Sequence, residues 1–378
     1  MPIINYPLTV QVLAALAVAL VISLIATPPV KWFAERVGAI DVPKDGRRVH
    51  KVPIPRLGGL AIFIGFVLSV VIFAEIDRQI QGILLGSVLI VSVGVVDDIM
   101  PLKAWQKFFV QIVAALIPVF HGLTIYLISN PNIFSPEPYL TFGFLTIPLT
   151  VIWIVGITNA VNLIDGLDGL AVGVSTISSL TMLVVALLVT ADANVALILA
   201  ALAGACLGFM PYNLNPAKIF MGDTGAMLLG YLLATMSILG LFKFYAIISF
   251  AVPFMALALP ILDTGFAIIR RIIKGQSPMA PDRGHFHHRL LDLGFSQQQA
   301  VFIIYLISGF LGMIAVIMTS SGDVRIVFTL LTFLIVAATV FVAFRGTALR
   351  PNGKCDGCDK SKDEVEGQTK LGDEHEPE

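Results

Sequence analysis

Apolar positions run along this chain in long solid blocks, with the polar positions gathered between them. Eleven blocks are long enough to be membrane-crossing helices: residues 8–27, 56–74, 80–96, 105–122, 144–161, 170–190, 194–212, 224–241, 245–269, 298–318 and 325–344. A hydrocarbon core about 30 Å thick needs roughly 20 such residues in a helix. The blocks lack the in–out alternation of outer-membrane strands, which excludes a β-barrel. The pattern predicts an all-α polytopic membrane protein with about 11 transmembrane helices. Pro253 and Pro260 predict a kink or break in the ninth. No Lys or Arg precedes Lys31, and the first block is too long for a signal peptide, so it reads as a retained helix. Residues 346–378 are polar and cannot bury a core, which predicts a disordered cytoplasmic tail behind a membrane domain of residues 1–345.

Composition agrees with the pattern. Of 378 residues, 57% are apolar and only 13% charged, where an average soluble domain has about a quarter charged. Mean hydropathy is +0.90. A soluble globular enzyme and a disordered chain are both excluded. The net charge of −1 says little, but its distribution orients the chain. With the N-terminus outside and the C-terminus in the cytoplasm, 21 of the 24 Lys and Arg face the cytoplasm, leaving only Arg78, Lys243 and Arg325 outside. Cys206 lies in an apolar block and reads as a packing residue. Cys355 and Cys358 form a lone C-x-x-C that cannot complete a four-ligand zinc site.

Ionisable residues are costly near membrane spans, and here they cluster at the cytoplasmic ends. Asp97 and Asp98 close the third block in GVVDDIMPLKAW. NAVNLIDGLDGLAVG follows the fifth, with Asn159, Asn162, Asp165 and Asp168 recurring every third residue. That spacing places them on one helical face or, given Gly166 and Gly169, in a tight loop. YNLNPAKIFMGDTGA follows the seventh, with Asn213, Phe220 and Asp223. RRIIKGQSPMAPDRGHFHHRLL follows the ninth, with Arg283, His285, His287 and His288. Five aspartates on one membrane face call for cations. Carboxylates suit Mg²⁺, with Mn²⁺ as the alternative, while Lys51, Arg283 and the histidines offer donors to phosphate oxygens. A hard metal beside cationic donors is what phosphoryl transfer needs. Within the ninth block, Asp263 and Arg270 lie two turns apart, which predicts a structural ion pair.

These motifs, with HKVPIPRLGGLAIF before them, stand in an order that resembles the polyprenyl-phosphate N-acetylhexosamine-1-phosphate transferase superfamily over roughly residues 1–345. The H-x-H-H-R-L-L ending is most similar to the bacterial undecaprenyl-phosphate GlcNAc-1-phosphate transferases of glycosyltransferase family 4. The resemblance implies a Mg²⁺-dependent transfer of GlcNAc-1-phosphate from UDP-GlcNAc to undecaprenyl phosphate, with release of UMP. It implies a start to a cell-envelope glycan such as teichoic acid or a polysaccharide linkage. It places the protein in the bacterial cytoplasmic membrane with a cytoplasm-facing site, as a homodimer by analogy, with the bilayer and no nucleic acid among its partners. It assigns Asp97, Asp98 and Asp223 to catalysis and Asp223 with Asp98 to the metal. Lys51, Asn162, Asp165, Asp168, Asn213 and Phe220 fall to the nucleotide, with Phe220 stacking on uracil. Arg283, His285, His287 and His288 fall to the sugar and diphosphate. Some members carry a third acid where this chain has Pro101. The alternatives are transfer of phospho-MurNAc-pentapeptide and, more remotely, secondary transport. A transporter would place its polar groups near the midplane and repeat itself, and no repeat is evident.

Overall fold

The computed structural model describes residues 7–43, 52–129, 139–189, 192–240, 254–273, 275, 285–320, 325–330 and 332. Helices dominate. In chain order they are α1 (Leu8–Val37), α2 (Gly58–Phe73), α3 (Arg78–Ile99), α4 (Ala104–Phe120), α5 (Thr146–Ile164), α6 (Leu170–Val189), α7 (Ala193–Asn213), α8 (Gly222–Gly240), α9 (Ala258–Ile273), the short α10 (Phe286–Asp292) and α11 (Gln297–Thr319). Among the described residues, seven helical segments are long and apolar enough to cross a membrane, while α2 and α4 are shorter apolar helices. This is a mostly helical membrane protein.

Each of the first ten apolar blocks contains a helix, and of the eleventh residues 325–330 are helical. The all-α expectation needs two small additions. An antiparallel pair joins β1 (Ile40–Asp41) to β2 (Ile54–Pro55), and a second joins β3 (Leu127–Ser129) to β4 (Tyr139–Thr141). One boundary differs clearly, in α1. It runs ten residues beyond the predicted end, straight through Pro28 and Pro29, and stops at Gly38 in the left-handed conformation. Gly38 supports the αL turn that lets Ala39 N–H reach the Ala34 carbonyl at 2.9 Å. The break expected in the ninth block is seen at Leu257, where a turn separates helical residues 254–256 from α9; Pro260 sits in the first turn of α9, and Pro253 lies outside the described residues.

Helix α8 is the centre of the bundle. From Thr224 to Gly240 every residue is buried. Helices α2, α3, α5, α6 and α7 pack around it. Lipid tails are as apolar as leucine, so packing and polar cross-links do the joining. The Tyr231 hydroxyl donates to the Ile83 carbonyl of α3 at 3.3 Å, and the Trp153 indole of α5 donates to Ser237 at 3.0 Å. On α7, Gly204 and Gly208 face the backbone of α1 at Leu16 and Leu20, where a Cβ would clash. This small-x-x-x-small stripe seats the two helices backbone to backbone. Cys206, between these glycines, is fully buried, as its apolar surroundings predict.

Candidate active site

Helix ends meet at one end of the bundle: the C-termini of α3, α5 and α7 and the N-termini of α2, α4, α6 and α8. This alternation of direction brings the separated polar motifs to one face. The loop ahead of α2 is laced to the loop ahead of α8 by three backbone hydrogen bonds. Phe220 N–H donates to the Pro55 carbonyl at 2.8 Å, and Gly58 and Gly59 donate to Phe220 and Met221 at 2.9 Å. Gly59 and Gly94 lie against the backbone of Thr224 and Gly225, so α2 and α3 both touch the first turn of α8.

The adjacent aspartates have separate tasks. Asp98 faces α8. Its Oδ1 accepts the Asp223 N–H at 3.0 Å; its Oδ2 accepts the Thr224 N–H at 3.0 Å and the Thr224 hydroxyl at 2.6 Å. A carboxylate there satisfies orphan amides and faces the positive end of the helix dipole. Asp97 turns the other way. Its Oδ1 accepts the Leu102 N–H at 2.6 Å, and its Oδ2 lies 3.0 Å from Lys107 Nζ. The same ammonium lies 2.6 Å from Asp223 Oδ2. Asn162 donates to the other Asp223 oxygen at 3.1 Å. Two carboxylates from different helices thus converge on one cationic atom. Lys107, one turn inside an apolar helix, is the site residue that sequence reasoning passed over.

Around this corner stands the α5–α6 turn. Asn159 and Asn162 lie on α5, Asp165 ends it, and Asp168 lies beyond, so the three-residue spacing spans a helix end and a turn. Desolvation, with the charges of Asp223 and Asp98 added, pushes the Asp165 carboxyl up to about 7. Asp168 accepts from the Asn215 amide at 2.9 Å and the Ala217 N–H at 3.1 Å, so it braces the loop before α8. Asn213, expected at the nucleotide, is buried, with its amide bridging Gly169 N–H (3.2 Å) and the Ile219 carbonyl (3.1 Å). Both residues shape the site from behind. Phe220 is half-buried on the same loop. The Tyr305 hydroxyl of α11 donates to the Gly169 carbonyl and closes the turn from the far side.

The histidines form a separate corner. His285 and His287 are buried, and His288 is half-buried. The rings of His285 and His287 stack with centroids 5.8 Å apart, and His287 meets His288 at 4.3 Å. Desolvation, with the neighbouring histidines adding to it, lowers His287 to about 4, so its imidazole is neutral at pH 7. The predicted Asp263–Arg270 ion pair gives way to another partner: Asp263 Oδ2 lies 2.9 Å from His285 Nδ1. Lys51, Arg283, the C-x-x-C and the tail fall outside the described residues.

Could these residues hold a divalent metal? Among the described residues no three His, Cys, Asp or Glu side chains form a closed metal cage. Mg²⁺ does not need one, since it takes one or two carboxylates and completes its shell with water and phosphate oxygens. The oxygens of Asp97 and Asp223 that share the Lys107 ammonium fit that requirement. Asp98, at the same corner, accepts from the first amides of α8 with both oxygens.

The fold and this corner define a membrane enzyme scaffold with hard-oxygen chemistry at one end of its bundle. Residues 80–241 match the family described as Glycosyl transferase family 4. The chain is 44% identical over 338 residues to the "Probable undecaprenyl-phosphate N-acetylglucosaminyl 1-phosphate transferase" of Bacillus subtilis (strain 168), covering 88% of this chain and 92% of that one. It is 38% identical over 315 residues to the "Decaprenyl-phosphate N-acetylglucosaminephosphotransferase" of Mycobacterium tuberculosis (strain ATCC 25618 / H37Rv), covering 76% and 78%. It is 33% identical over 290 residues to the "Phospho-N-acetylmuramoyl-pentapeptide-transferase" of Heliobacterium modesticaldum (strain ATCC 51547 / Ice1), covering 72% and 87%. The chain belongs to glycosyl transferase family 4.

Proposed function

We propose that the protein transfers GlcNAc-1-phosphate from UDP-GlcNAc to undecaprenyl phosphate and releases UMP. The observation that carries this reading is the convergence of Asp97 and Asp223 on Lys107 beside Asn162 and Asp165. A phosphate oxygen of the lipid attacks the sugar-linked phosphorus, the bond from that phosphorus to the bridging oxygen breaks, and UMP leaves with that oxygen. A phosphate monoester is largely ionised at neutral pH, so the acceptor needs positioning more than deprotonation. We assign Asp223 and Asp97 to the divalent metal, Mg²⁺ or Mn²⁺, which would neutralise charge on the diphosphate. Lys107 adds a cation on the same oxygens, Asp98 fixes the helix that presents Asp223, and the α5–α6 turn with Phe220 receives the nucleotide. Lys51, Arg283 and the histidines are assigned to the phosphates and sugar.

The acceptor's prenyl chain is assigned to an apolar groove of about 600 Å³ between α9 and α11, lined by Leu262, Phe266, Ile307 and Leu311 with Arg270 and Arg289. We further infer eleven crossings with the N-terminus outside and the site on the cytoplasmic face, supported by the one-sided placement of Lys and Arg. The test is a donor panel. Purified protein, undecaprenyl phosphate and Mg²⁺ are mixed with UDP-GlcNAc, UDP-GalNAc or UDP-MurNAc-pentapeptide, and UMP is scored with and without EDTA. Chelator-sensitive release with UDP-GlcNAc is the expected result. Release with the pentapeptide donor alone would move the protein to the other branch, and no release from folded protein would overturn the reading.

A further inference from the structure

The histidine corner carries an inference of its own, resting on the assignment of the α5–α6 turn and the histidines to the sugar nucleotide. Asp263 is buried on α9 and uses both oxygens on the segment that holds the histidines. Oδ2 lies 2.9 Å from His285 Nδ1, and Oδ1 accepts the Phe286 N–H, the first of α10, at 2.8 Å. The two side chains are 8% and 6% exposed, so water does not compete for this pair. A carboxylate at Nδ1 keeps the proton on that nitrogen and fixes the ring plane. The fixed ring of His285 lies nearly parallel to His287, at 8°. His287 in turn fills the space over Gly166, where a Cβ would overlap its ring. A continuous line of contacts therefore runs from Asp263 through His285 and His287 to the turn that follows Asp165.

We propose that Asp263 is a positioning residue for the transfer: by holding His285, it sets His287 against Gly166 and so locks the histidine segment to the α5–α6 turn. A purely structural role would need only an acceptor for the Phe286 N–H. The substitution Asp263→Asn keeps such an acceptor but turns an amide N–H₂ towards His285 Nδ1, which must then give up its proton and change tautomer.

That difference supplies the test, made on the full chain in lipid nanodiscs. In Asp263→Asn, kcat for UMP release from UDP-GlcNAc falls by about tenfold or more, the range for removing a ligand's orienting partner. Gly166→Ala, at a backbone conformation that alanine accepts, gives a loss of similar size. The double variant is no slower than the slower single one, and neither substitution has further effect in a His287→Ala background, because all three act through one contact line. Additive losses, or an unchanged kcat in Asp263→Asn, would overturn the proposal. Nitrogen-15 spectra of histidine-labelled protein give a readout independent of turnover. His285 carries its proton on Nδ1 in the wild type and on Nε2 in Asp263→Asn; the Nε2 tautomer in the wild type would sink the idea. If the wild type released no UMP with any donor, the transferase reading would fall, while the spectra would still decide the contact line.

Discussion

The acidic corner and the histidine corner are built on opposite plans. The acidic corner is made of helix termini. Asp97, Asp98 and Asp223 sit on α3 and α8, which pack directly on one another, and backbone amides hold Asp98 in place. The histidine corner is made of side chains. A seven-residue helix, too short to be stable alone, hangs from Asp263 and packs on a glycine. The first corner inherits its precision from the core of the fold. The second has to be positioned by a specific pair. Damage to Asp98, which holds helix α8, should therefore show in stability, and damage to Asp97, Asp223 or the Asp263–His285 pair mainly in activity.

The sharpest way to break this contrast is Asp223→Ala. Turnover should fall by roughly 10²–10³-fold or more, the scale for losing a preorganised electrostatic group, while the protein still inserts and purifies. A wild-type rate from the UMP assay would refute the assignment of Asp223 to the metal. Next comes the pair of neighbours. Asp98→Ala should cost about 3 kcal/mol of stability or more, since it strands the Asp223 and Thr224 amides and the Thr224 hydroxyl at about 1–3 kcal/mol each. Asp97→Asn should abolish activity with a far smaller change in thermal midpoint. Equal thermal shifts in the two variants would erase the division of labour between these residues.

The histidine corner is probed by pH. His287 has a folded-state value of about 4, below its ordinary 6.5. The folded protein then binds fewer protons than the unfolded chain between those values. Its contribution is fully present above pH 6.5 and is lost as pH falls through 4, on the order of 3 kcal/mol. Thermal midpoints of wild type and His287→Gln, measured from pH 7 to 4, should converge on acidification, and parallel curves would refute the neutral buried imidazole. The smallest effect is expected from the tail. Truncation after Thr347 should change the rate far less than His287→Ala with His288→Ala, and a more damaging truncation would overturn the reading of the tail as dispensable.

The helices were legible because apolar runs of membrane length have few other uses. The end of helix α1 was not legible because its apolar block stops at residue 27, whereas the helix continues through Pro28 and Pro29 into a polar stretch. The D-D pair was legible as chemistry but not as two roles. Successive helical residues point about 100° apart, so the one facing α8 could be told from the one facing Lys107 only when the neighbours were in place. Lys107 left a signal that could have been read: a lone cation inside an apolar helix is a functional candidate by default. Asp263 and His285 lie 22 residues apart, and no local period links them. A two-turn spacing to Arg270 was the nearer pattern, and it misled.

One consequence of the Asp98 contact reaches back to biogenesis. Asp98 lies 125 residues before the amide it holds, so it is synthesised and inserted well before its partner. Until α8 arrives and docks on α3, there is no seat for Asp223 and no acidic corner. A half-inserted chain is thus silent by construction, and the enzyme becomes competent only when assembly of its bundle is complete.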